Sequence, residues 1–500
     1  MAFGVRAAGV VLALATGVSA QEVHLLGISG DGAATPEALF LIDPSDASAS
    51  LLMTLGNGDD GEAIAFDPDV SLLLYHASGS ASRVWESVDV VRRTLVTSGP
   101  PSGDVTENLC MVHDPETGGF LVGDGSANLL MVTPSGVATP IGVLPEEIKG
   151  LAFGGGRLYG AARSGDELYE LDSVDGSIIS TTNATLGGSP VDGMNGLAAH
   201  PRTGELWGIF RQSGDLMLGT IDPSSGTVLV VGVLPDDFQG LAFVPDPVLV
   251  GVTGDGATTP ESLFVIDPSS AAATHAMTLG NGGDGETIGY NPDDDLLYHA
   301  SGISTDDRFW ESIDVFTRTI VASGQLTGPE VSDESTAMVY NPSTGRFLVA
   351  ERGLHKLFDV TLGGAATQIG TVPEILKGLA FIGPTLYGAA RGSDSLYELD
   401  PSNGSTIAST VVSLDGGAIA GMNGLATHPL TGELWGVFRR GSDRLLGTVD
   451  PATGVVASVG TLPENFAGIT YLPEPSSARA LGAGALAVAL GAARRRWLAR

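Results

Sequence analysis

Three pairs of polar residues recur at matching places in two stretches of this chain: Glu62 and Glu286, Lys149 and Lys377, Asn195 and Asn423. Each stands directly before a small residue that opens a short apolar run, as in Lys149 before Gly150-Leu151-Ala152-Phe153. Gln239 takes the same place in a fifth run, while Leu109, Thr336 and Ala467 occupy it elsewhere. If these runs are strands that share one axis, a carboxylate, an amine and amides meet at one opening and can hold a polar ligand. The plainer alternative is that they only solvate that opening. Identity between the stretches adds little, because duplicated sequence keeps many positions for no functional reason.

A second chemistry lies in acidic, glycine-rich loops. Asn57-Gly58-Asp59-Asp60-Gly61-Glu62 and Asn281-Gly282-Gly283-Asp284-Gly285-Glu286 set oxygens among glycines, and Asp31 and Asp255 sit in similar Gly-Asp-Gly turns. Ca²⁺ takes six to eight oxygens from such flexible loops. Asp31, Asp60, Asp255 and Asp284 are therefore candidate ligands for a structural Ca²⁺, and no other cofactor is expected. Against this, Gly283 replaces Asp59 and the spacing is not that of an EF-hand.

The elements that must position these groups are set by repetition. Gly27 aligns with Gly251, Gly150 with Gly378 and Trp207 with Trp435, so residues 247–472 repeat 21–246. Within each half the apolar runs end at Phe66, His113, Phe153, Ala199 and Phe243, then Tyr290, Tyr340, Phe381, Thr427 and Tyr471, spaced about 40 to 50 residues apart. A period in the forties with four short alternating runs fits one four-stranded propeller blade per unit. The region is read as all-β: ten four-stranded β-propeller units, most simply two tandem five-bladed propellers, with one ten-bladed ring as the alternative.

Punctuation supports this reading. Strand three ends in Asp at Asp43, Asp89, Asp172, Asp222, Asp267, Asp314, Asp400 and Asp450, where a carboxylate accepts turn N–H groups. These acids are expected to be turn formers rather than catalysts, and His200 and His428 to be turn residues before metal ligands. Tyr75, Tyr159, Trp207, Tyr298, Tyr387 and Trp435 recur at one place in strand two, where rings most simply fill the space between blades.

The net charge of −34 and pI near 4.3 argue against nucleic acid as a partner. With Cys110 alone, no intrachain disulfide is possible. The 71 glycines and 28 prolines suit a chain of many tight turns. Residues 1–20 carry Arg6, an apolar stretch and Val18-Ser19-Ala20, the pattern of a secretory signal peptide cut after Ala20. Residues 473–500 run Pro-Glu-Pro-Ser, an apolar segment at 481–493, then Arg494, Arg495, Arg496 and Arg500. The apolar segment is shorter than the roughly 20 residues of a full span, and contact with a membrane is expected only through it before processing.

This last order resembles the PEP-CTERM sorting signal of exported bacterial proteins. The resemblance implies cleavage near the Pro-Glu-Pro by an exosortase-type enzyme and association with exopolysaccharide or other surface material. The repeated Gly-Leu-Ala-Phe pattern is similar to the YVTN and NHL propeller families, whose members mostly bind partners. Two functions follow as expectations: an exported surface or matrix scaffold that binds a polysaccharide or a surface protein, or a secreted hydrolase with carboxylates at a channel mouth. No nucleophile elbow, zinc motif or phosphate loop is present, which favours the first.

Overall fold

A computed structural model describes residues 23–56, 62–68, 73–79, 83–103, 105–254, 256–279, 286–302 and 308–473. The signal peptide expected at 1–20, the sorting segment beyond Pro473, and Asp60, Asp255 and Asp284 lie outside the described residues. Among the described residues none is helical, so no helix there is long and apolar enough to cross a membrane.

Alternation of apolar and polar side chains makes strands, and the strands assemble as antiparallel sheets of the propeller-blade type. A typical blade pairs Ile148–Gly154, Arg157–Ala162, Glu167–Leu171 and Ile178–Asn183 in order. Its inner strands are buried, whereas Ile178–Asn183 carries an exposed edge. The blade that begins with Val23–Ser29 is completed by Phe238–Pro245 of the same half. Likewise Val248–Thr253 is completed by Phe466–Leu472. The five inner strands of the first half adjoin in a closed cycle, and so do those of the second.

Inner strands come this close because small residues face the neighbouring backbone. A Cβ on Gly150 would meet the Leu197 nitrogen at 2.6 Å, and one on Gly378 the Leu425 nitrogen at 2.6 Å. Between blades the packing is aromatic: Tyr75 lies 4.5 Å from Phe120 of the next blade and 5.8 Å from Trp85 of its own, and Tyr298 lies 4.8 Å from Phe347 of the next blade and 5.7 Å from Trp310 of its own. These rings fill the blade interface and are buried, consistent with packing rather than ligand stacking.

All eight strand-three aspartates accept the backbone N–H two residues on, at 2.8 to 3.0 Å. His200 and His428 do the same work through Nδ1, each accepting two backbone N–H groups.

Candidate functional site at the mouth of the first half

The two lysines owe their positions to β-bulges. Register slips between Ile148 and Gly150, so Lys149 has no cross-strand partner; Lys377 is left out in the same way between Leu376 and Gly378. A bulged residue is free to aim off the regular pleat. Lys149 thereby reaches an opening of about 630 Å³ whose lining also includes Asn195, Gln239, Arg163 and Arg211. Carboxylates of Asp31, Glu107, Asp215, Asp236 and Asp237 also line it, and among the described residues no aromatic ring does.

Three of the seven residues expected to bind ligand, Lys149, Asn195 and Gln239, thus share one mouth. Lys149 Nζ donates to Gln239 Oε1 at 3.3 Å, and Gln239 Nε2 donates to Asp237 at 2.8 Å. Asn195 Nδ2 donates to the Phe238 carbonyl at 3.2 Å, bracing one inner strand on the next. Asn423 repeats that brace on Phe466 at 3.2 Å. Asp31 is exposed in its turn at this rim, apart from any cluster of metal ligands formed by the described residues.

Lys149 and Lys377 are buried, at 6% and 8% exposed. Among the described residues Glu62 and Glu286 make no ion pair with these lysines, Glu286 reaching Lys377 only through space. Each is drawn into its own blade by a buried histidine that the inner-strand pattern does not reveal.

His76 stands opposite Ile64 and Glu86 in the sheet register, and Glu86 stands opposite Ser98. His76 Nε2 makes a short hydrogen bond to Glu62, its Nδ1 bonds Glu86 at 3.3 Å, and Ser98 donates to Glu86 at 2.5 Å. In the second half His299 bonds Glu286 and, at 3.4 Å, Glu311, to which Ser323 donates at 2.7 Å. All six charged groups are essentially fully buried. Burial by itself would push the histidines down, but hydrogen bonds and charge from their two glutamates outweigh it and raise each to about 9. Burial raises Glu286, with His299 opposing. One oxygen of Glu62 and one of Glu286 have no hydrogen-bond partner among the described residues. The signal was present in sequence, since both copies carry Leu-Leu-Tyr-His-Ala-Ser and Trp-Glu-Ser.

A further constellation lies where the halves meet. His24 Nε2 and His428 Nε2 approach Asp246 Oδ1 at 2.7 and 2.8 Å, which is the ligand set of a possible metal centre. The tautomer argues otherwise. Nδ1 of His428 accepts N–H from Leu430 and Thr431, so the ring proton sits on Nε2 and is donated to Asp246. Burial pushes Asp246 up, but the two imidazole hydrogen bonds prevail and hold it below the usual carboxylate range. The group is a hydrogen-bonded clasp, joined across the seam by Arg92 on Asp293 at 2.6 Å.

No family model and no curated protein matches the chain. Solved structures similar to it include Myxococcus xanthus glutaminyl cyclase, 18% identical over 36% of this chain and 70% of that one, with a TM-score of 0.28. The extracellular domain of a hybrid two-component system of B. thetaiotaomicron is 12% identical over 88% of this chain and 74% of that one, with a TM-score of 0.27. A chain of the nidogen/laminin complex is 10% identical over 45% and 98%, with a TM-score of 0.31. Likeness at this level says nothing of activity, and the functional argument rests on the mouth itself.

Proposed function

We propose that the protein is an exported binding scaffold of the cell surface or extracellular matrix. In this reading the first half presents its polar mouth to a hydroxyl-rich ligand, such as a segment of exopolysaccharide or the glycan of a surface protein. The observation that carries it is the convergence of Lys149, Asn195 and Gln239 on one opening of about 630 Å³ rimmed by carboxylates. Donors and acceptors are mixed there, as recognition of sugar hydroxyls requires. Glu62 would take no part in a hydrolase at this mouth, because it is bonded to His76 within the blade and is not part of the lining.

The test is a glycan array probed with the exported chain, comparing wild type with Lys149→Ala. Retention of one glycan class by wild type, weakened about tenfold or more in the variant, supports the reading. A wild type that retains nothing, or a variant that binds equally well, overturns it. Export is tested separately by the intact mass of protein from its native host. Loss of residues 1–20 and a new end near Pro473 to Pro475 are expected, and a mature species that keeps Arg494 to Arg500 would defeat the sorting reading.

A further inference from the structure

The two lysines sit on equivalent bulges, yet their counter-charges differ. Lys377 is paired with Glu334 at 3.1 Å. Glu334 is also held by Arg352 at 3.0 Å and faces Arg391 at 3.9 Å, so three cations converge on a carboxylate that is itself buried. Glu107 is the first-half counterpart of Glu334, but Gly125 replaces Arg352, and Glu107 is directed to Arg163 at 3.8 Å. Lys149 is left with a neutral amide, Gln239 Oε1 at 3.3 Å, as its hydrogen-bond partner among the described residues, where the second half has Ala467. Gly30 makes room for that amide, since a Cβ there would strike Gln239 at 2.5 Å.

Among the described residues Lys149 makes no ion pair, Glu107 and Asp237 acting on it only through space, and an ammonium so buried is costly and is most simply offset by an anion from outside. Arg211 donates to the Arg163 carbonyl as Arg439 does to that of Arg391, and each keeps a buried Nε without a partner among the described residues, so the difference between the halves rests on the lysines alone.

We infer that the first-half mouth is a carboxylate site, and that its ligand is a sugar bearing one carboxylate, bound with that group on Lys149. This rests on the mouth being a glycan site at all and adds the class of sugar. Glu334 marks, within the second half, where such a carboxylate belongs: it is the resident equivalent of the ligand's charged group. Around Lys149 the acids Asp31, Glu107, Asp215, Asp236 and Asp237 repel densely charged polyanions while accepting bonds from hydroxyls. A hydroxylated monocarboxylate satisfies both demands.

Titration calorimetry on the whole exported chain, at fixed salt, tests this with glucuronic acid and glucose and with a short oligosaccharide of each. Acidic probes are expected to bind at one site per chain, at least tenfold more tightly than the neutral ones. Lys149→Met should remove that difference. Gln239→Glu, nearly isosteric, places an internal carboxylate beside Lys149 as Glu334 stands beside Lys377, and should abolish acidic-sugar binding; because it also trades the hydrogen bond to Asp237 for a like charge, its thermal midpoint is measured alongside to show that the fold is kept. That variant keeps the test valid if Lys149→Met fails to fold. Equal binding of acidic and neutral probes by wild type, or a Gln239→Glu protein that still prefers the acidic probe, overturns the carboxylate assignment and spares the glycan-site reading. Binding of neither class overturns both.

Discussion

The two mouths began as one sequence and now solve the same electrostatic problem in different ways. In the second half a buried lysine is neutralised from within by Glu334, itself held by Arg352. In the first half Arg352 has become Gly125, and the lysine is left with an amide. Gly125 stands where the second half has Arg352 and Gln239 where it has Ala467, and in the proposed reading these two differences separate a self-neutralised lysine from one open to a ligand. The lesson is that duplication conserves the frame, while function is read from the few places where copies disagree.

The largest expected effect separates the mouths by stability. Glu334→Gln removes the one carboxylate shared by Lys377, Arg352 and Arg391, leaving a buried cation uncompensated, and should cost about 3–5 kcal/mol. Glu107→Gln loosens a long contact to a partly exposed arginine and a through-space attraction to Lys149, and should cost less than about 1 kcal/mol. Chemical denaturation of both variants decides this, and equal losses would mean that the mouths are electrostatically alike after all.

Where the mouths differ, the buried Glu-His-Glu rows agree. His76 and His299 are raised to about 9, above the ordinary value near 6.5. A group raised on folding stabilises fully below its unfolded pKa and loses that contribution as pH climbs to the folded one. Stability should therefore fall between about pH 6.5 and 9, by up to roughly 3 kcal/mol per histidine. The urea midpoint measured across pH 6 to 10 should show the decline in both halves. A flat profile would indicate that the histidines are neutral in the fold and that each glutamate pair carries the proton.

If each half closes on its own sheet pairing, residues 21–246 alone should be soluble and unfold cooperatively with β-type circular dichroism. The cost of separation is the seam, which includes the buried bond of His428 to Asp246, the exposed pair of Arg92 and Asp293, and Leu430 packed into a first-half core cluster. The buried bond contributes about 1.5–3 kcal/mol at most and the exposed pair less than about 1 kcal/mol. A molten first half beside a well-folded 21–472 chain would show instead that the seam, and not each cycle, holds the inner strands in place.

How much of this was legible in sequence follows from what sets each feature. Turn aspartates such as Asp222 act on N–H groups two residues away, so local sequence suffices to find them. Lys149, Asn195 and Gln239 were legible because one repeated strand position places them all. Glu62 was misplaced because its partner, His76, is brought to it by sheet register, and Glu86 is added from the next strand. The pairing of Lys377 with Glu334 likewise crosses from one blade to the next, a contact no spacing rule reports.

The smallest expected effect uses the one difference that is itself a probe. Cys110 packs against Gly123 where the second half has Ala337, and it is the chain's only cysteine. It is buried at 3% exposure, and burial pushes its thiol up to about 12, with the Gly123 backbone and Lys149 only partly opposing. A protonated, covered thiol is a poor nucleophile, so a thiol-specific reagent at pH 8 should react with the native protein only through opening of the first half. Cys110→Ala should shift stability by less than about 1 kcal/mol, since the second half already carries alanine there. Labelling rates then report the first half alone. Saturating acidic sugar should slow labelling in wild type, because binding to the native mouth disfavours its opening, but leave it unchanged in Gln239→Glu. Fast labelling of the unliganded native protein, at a rate near that of the denatured chain, would show that the inner strand carrying Cys110 is not held closed, and the contrast between a receptive and a self-neutralised mouth would lose its structural basis.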